Sequence, residues 1–168
     1  MRLQLLSLLI ISIFLTQAAS SATYPDINPC SLISPQKIYT AYPTIKTMEE
    51  QTIGPNTTCN YHNKYGLSEL IVSVHKNDGA AAKSVVSMLG DGYRIKTVEG
   101  LGKEAAMAIS LPKPEYGIAG DQVAELYIKE ADFCLMLAPV RLNIKGSGPG
   151  FETFREIVLE MLGSSNLP

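Results

Sequence analysis

Apolar and polar positions alternate most clearly between Ser68 and His75, where Leu70, Val72 and Val74 fall on one face and Glu69, Ile71, Ser73 and His75 on the other. That period of two is the signature of a strand. Gln122 to Lys129 repeats it, with Ala124, Leu126 and Ile128 against Val123, Glu125, Tyr127 and Lys129, while Phe133 to Val140 is apolar on both faces, as in a central strand. Lys46 to Ile53 and Asn56 to Tyr61 read as polar, β-branched strands joined at the turn dipeptide Gly54-Pro55. Tyr93 to Val98 and Glu104 to Ser110 read as two more, separated by Glu99-Gly100-Leu101-Gly102.

Three segments carry helical signals instead. Ser34-Pro35 supplies an N-cap and a first-turn proline, Ile33 and Ile38 occupy the staple positions, and Pro43 ends that helix at about Tyr42. A second helix is expected behind Asn77-Asp78 as its cap, with Ala82, Val85, Val86 and Leu89 as its stripe and Gly90 as its stop. The last follows the breaker Gly146-Ser147-Gly148-Pro149-Gly150; Phe151, Phe154, Ile157, Val158, Met161 and Leu162 form a wide stripe ending at Gly163. Strands in runs, with too few helices to cross over between each pair, predict an α+β fold: a largely antiparallel sheet with helices packed on one face.

The N-terminus does not belong to this pattern. Leu3 to Leu15 holds ten Leu, Ile or Phe in 13 residues, follows Arg2, and precedes the small residues Ser20-Ser21-Ala22. This is the plan of a signal peptide over residues 1–22, leaving 23–168 as a single exported domain. The run is shorter than the ~20 apolar residues a bilayer span requires, so the alternative, an uncleaved anchor, fits less well. Membrane contact is therefore expected only during export, with the periplasm or the extracellular space as destination.

Composition then narrows the function. The chain has 168 residues and a net charge of −2; the leader's one charged side chain is Arg2, so the exported part would hold 13 basic and 16 acidic residues. Such a balance provides no footprint for a phosphate backbone, and no nucleic-acid partner is expected.

Export makes the cysteines informative, because disulfides persist outside the reducing cytosol. Cys30 and Cys59 lie in turn-rich or polar stretches, whereas Cys134 sits in the apolar run Phe133-Cys134-Leu135-Met136-Leu137. A Cys30–Cys59 bridge with Cys134 free is the expected arrangement, and three free thiols the alternative. Asp26-Ile27-Asn28-Pro29 ahead of Cys30 lacks the small-residue pattern of lipoprotein processing, so no lipid is expected there.

Asn28-Pro29-Cys30-Ser31-Leu32-Ile33-Ser34-Pro35, Cys59-Asn60-Tyr61 and Val98-Glu99-Gly100-Leu101-Gly102-Lys103-Glu104-Ala105 together resemble a family of bacterial cell-envelope proteins, mostly lipoproteins, of unknown function. The chain departs from that family's pattern in lacking a lipidation cysteine and in carrying Tyr61 where tryptophan is common. The resemblance implies an α+β fold and a bridge between the first and second cysteines, and it implies no activity.

Candidate chemistry is sparse. Gly100-Leu101-Gly102 has Ala105 at the third-glycine position of a dinucleotide fingerprint and is followed by a strand, so it reads as a turn needing positive φ, and no cofactor is expected. His62 and His75 are the available bases near neutrality, but neither belongs to a metal or nucleophile motif, and no metal site or catalytic set is assigned. His75 shares a face with Glu69 and Ser73, yet neighbours on one strand stand side by side instead of converging. Leu111 to Asp121, with four Pro or Gly, is a long loop whose Lys113, Glu115, Tyr116 and Ile118 are the expected binding residues. The function expected is a non-catalytic exported protein binding a small ligand or an envelope protein partner; the alternative is a small hydrolase using His75 or His62.

Overall fold

The computed structural model describes residues 27–53, 56–116 and 119–165. The segment expected to be a leader, residues 1–22, the expected turn at Gly54-Pro55, and Ile118 lie outside the described residues. Seven strands, β1 (Ile45–Ile53), β2 (Asn56–Asn63), β3 (Ser68–Lys76), β4 (Tyr93–Thr97), β5 (Glu104–Ser110), β6 (Val123–Lys129) and β7 (Phe133–Ala138), make one sheet. Their order is β1-β2-β3-β7-β6-β5-β4, and each neighbouring pair is antiparallel. Two meanders thus meet where β3 pairs with β7.

The α+β class and the antiparallel sheet are as expected, but the helices do not all share a face. α1 (Pro35–Ala41) and α3 (Pro149–Ser165) cover one side, where Ile38, Phe154, Val158 and Met161 pack with Leu70, Val72, Met107, Ile128, Leu135 and Leu137, all fully buried. α2 (Ala82–Ser87) lies on the opposite side, its Ala82 and Val86 packed with Ala106, Ala108, Tyr127 and Cys134. The physical reason is in β5. Ala106 and Ala108 project opposite to Met107 and Ile109, and their small side chains let a helix approach the sheet closely.

α2 is also capped differently from the expectation. Asn77 and Asp78 fold local turns, their side chains accepting from the backbone N–H of Gly79 and Ala80. The N–H of Ala82 instead donates 2.9 Å to the carboxylate of Glu104, on β5. A side chain from the adjacent strand thus satisfies an orphan helix donor. α3 continues past Gly163 to Ser165.

Cys30, in a 3-10 turn over Pro29–Ser31, is bonded to Cys59 of β2 with their Cα atoms 5.0 Å apart, and Cys134 is free and buried. Asn28 caps that turn by accepting from the N–H of Cys30 and donates its amide to Glu50 of β1, so the segment entering the fold is held at two points.

Candidate functional site

A cleft forms where the edge strand β4 meets the segment leading into α3. Arg94 and Lys96 pair with Ile109 and Met107 of β5 and share their face, the one covered by α3. Opposite them runs 144–147, held by an isolated bridge between Gln122 and Lys145; Val123 N–H donates to Ile144 C=O and Gly146 N–H to Asp121 C=O. Gly146 is required for this approach, because a Cβ there would stand 2.6 Å from Cδ1 of Ile109. The outcome is a cavity of about 600 Å³ walled by Arg94, Lys96, Ile109, Asp121, Lys145 and Ser147.

Its charge is lopsided. Arg94 donates to Asp121 at 2.8 Å in an exposed ion pair, whereas Lys96 and Lys145 have no ion-pair partner among the described residues. Asp121 sits at φ +56°, a left-handed conformation in which Asp and Asn are among the better tolerated side chains.

Of the loop residues expected to bind, Lys113 and Glu115 are not among the described residues that wall this cleft. Lys113 is half-buried with Nζ close to Gly92, and Glu115 is exposed in a 3-10 turn over Pro114–Tyr116. The Tyr116 side chain and Ile118 lie outside the described residues. Among the loop's described residues, the one that contributes to the wall is its last, Asp121. A sequence signal for the rest did exist: Arg94 and Lys96 alternate on a predicted strand, and Lys145 directly precedes the glycine-rich breaker.

The histidines fall in two settings. His75 lies directly across from Cys134 in the β3–β7 ladder, a juxtaposition that sequence reading missed, and its buried Nε2 has no hydrogen-bond partner among the described residues. Burial holds the His75 imidazole below its usual pKa and, as the dominant influence, pushes the Cys134 thiol above its own, against a lowering hydrogen bond from Tyr127. Both groups are thereby kept neutral, whereas cysteine nucleophiles need the thiolate. Glu69 and Ser73, on the same face of β3, do not join them. The Glu69 carboxylate accepts from Asn63 Nδ2 at 2.8 Å and from Thr44 at 3.5 Å, and Ser73 is fully buried.

His62 is flanked by Ser68 Oγ, 3.4 Å from Nδ1, and by Glu49, 3.8 Å from Nε2. The residue types are those of a serine–histidine–acid relay, but both distances exceed those of hydrogen bonds able to move a proton. Among the described residues, no group of three or more His, Cys, Asp or Glu side chains converges as metal ligands do.

The depressed pKa of His75 has a definite sign in stability. As pH falls below about 6.5 the unfolded chain takes up a proton that folded His75 refuses, so folding weakens until the lower folded-state pKa is passed. Urea titrations between pH 7.5 and 5 are expected to show a flatter stability profile for His75→Asn than for the wild type; identical slopes would refute burial of a neutral imidazole.

No family model matches the chain, and no curated protein or solved structure is significantly similar to it.

Proposed function

We propose that this is a non-catalytic exported protein that binds a small ligand or an envelope protein partner through the cleft beside β4. The observation that carries the reading is the cleft itself: about 600 Å³, with charged side chains brought in from β4, from the base of the 111–121 loop and from the segment before α3. Concave sites with a few converging polar groups, built from separate elements, are where ligands bind. The Cys30–Cys59 bond is compatible with export, and among the described residues no helix is long and apolar enough to cross a membrane. The cell-envelope family resemblance supports the same destination.

A hydrolase reading is favoured by one observation, the Ser68–His62–Glu49 alignment. A single set of measurements separates the two. The full chain is expressed with its leader, recovered from the export compartment, and tested against a fluorophosphonate probe and a panel of small ligands. The binding reading expects ligand-dependent shifts at Arg94, Lys96 and Lys145 in NMR spectra and no labelling at Ser68. Labelling at Ser68 that vanishes in His62→Ala would replace it with the hydrolase.

A further inference from the structure

We propose that the cleft beside β4 selects a small oxyanion carrying two or more negative charges, with Lys96 and Lys145 as its primary partners and the Arg94–Asp121 pair as a displaceable latch. The inference rests on the binding reading above and adds the chemistry of the ligand.

Three cations, Arg94, Lys96 and Lys145, border the cavity against one carboxylate, Asp121. Since Arg94 and Asp121 neutralise one another, Lys96 and Lys145 leave a local excess of two positive charges in a chain whose net charge is −2. Like charges held around a concavity repel one another and raise the potential within it, a state relieved by a counter-ion. The excess is confined to this cleft, because the second hollow that Lys96 borders, of about 470 Å³, sets Lys96 and Arg155 against Glu99 and Glu152.

The size of the ligand follows from the surroundings. A long polyanion would extend beyond the cavity onto a surface whose acids outnumber its bases, and repulsion there would offset the gain. A compact oxyanion stays within a screening length of the lysines, about 8 Å at physiological ionic strength. Arg94 and Lys96 are two residues apart on one face of β4, roughly 7 Å along the strand from the rise of ~3.3 Å per residue, which suits two separate anionic groups better than one.

Asp121 gives the proposal its most specific consequence. Its carboxylate occupies Arg94 in the free protein, so an incoming anion competes with it. Arg94 can bind carboxylate or phosphate in a bidentate fork, so either oxyanion could replace Asp121.

The test is calorimetric titration of the purified protein with two probes, citrate for carboxylates and inorganic pyrophosphate for phosphates, at 50 and 200 mM salt. Binding of at least one is expected, weakening several-fold at the higher salt, and the tighter probe identifies the source chemistry. The double variant Lys96→Gln/Lys145→Gln is expected to lose at least tenfold in affinity. Asp121→Asn, which keeps a residue suited to φ +56° while removing the competitor, is expected to tighten binding several-fold. Unchanged thermal midpoints confirm that the variants are folded. If neither probe binds, or if both variants bind as the wild type does, the oxyanion proposal is overturned. A neutral ligand that shifts the same residues would overturn it too while leaving the binding reading intact, and a cleft that takes up neither anions, neutral ligands nor a protein partner would end both.

Discussion

Replacing Cys30 with serine is expected to lower the stability of the folded chain by about 3–4 kcal/mol, the loop-closure entropy of a cross-link spanning 29 residues. For a domain of this length that corresponds to a fall in thermal midpoint of roughly 10 °C. Cys30 is the informative partner because it is only partly buried, so serine adds little packing loss; Cys59 is fully enclosed in the core. The bond connects the turn at Pro29–Ser31 to the middle of β2, and without it that turn is held by the Asn28–Glu50 hydrogen bond and by the burial of Pro29, Leu32 and Ile33. Urea denaturation with and without reductant checks the point. The wild type and Cys30→Ser should differ in oxidising buffer and coincide once the wild type is reduced, whereas equal midpoints under both conditions would show that the cross-link adds nothing.

What the amino-acid pattern revealed, and what it hid, divides along the range of the interactions. Strands and helices were legible because alternation at Leu70, Val72 and Val74 and the spacing of Phe151, Phe154 and Val158 are local consequences of backbone period. The Cys30–Cys59 bond was legible because Cys30 and Cys59 stand among polar or turn-forming neighbours and Cys134 in an apolar run, although Cys59 itself is as deeply buried as Cys134. The pairing of β3 with β7 was not legible, since nothing near Val72 specifies Leu137 as its partner. For the same reason the His75–Cys134 juxtaposition stayed hidden, as did the Glu104 cap of Ala82. α2 was placed on the wrong face because the expectation took one covered side for the whole sheet. Glu104 to Ser110 carries apolar residues at Ala106 and Ala108 as well as at Met107 and Ile109, which already meant that β5 is covered on both. The cleft is similar: the long loop is legible from its Pro and Gly residues, but the described wall depends on Arg94, Asp121 and Lys145 meeting from three segments, of which only Asp121 belongs to that loop.

Truncating Phe154 to alanine should cost about 3–5 kcal/mol, the range for deleting a buried aromatic ring from a packed core. Phe154 is fully buried on the inner stripe of α3, in the same cluster as Met107, Ile128 and Leu135 from three central strands, so the void would lie between helix and sheet, where neither side can collapse freely. Leu159, on the same helix but 40% exposed, is the matched control, and Leu159→Ala should change stability by no more than about 0.5 kcal/mol. The two variants differ in what they remove from the interface and hardly at all in helix propensity, so their contrast isolates packing. Against a total stability of about 5–15 kcal/mol for an ordinary domain, the Phe154 loss is large enough to loosen α3 on its own. Hydrogen exchange should then show faster opening of α3 than of β2 or β3, because the disulfide and the first meander hold the other end of the sheet. The chain from Ile144 to Gly150 enters α3 directly, so loosening that helix should also widen the cleft that Lys145 and Gly146 wall. Equal stability losses in Phe154→Ala and Leu159→Ala, or uniform exchange across the whole sheet, would mean that α3 is not anchored through its inner stripe.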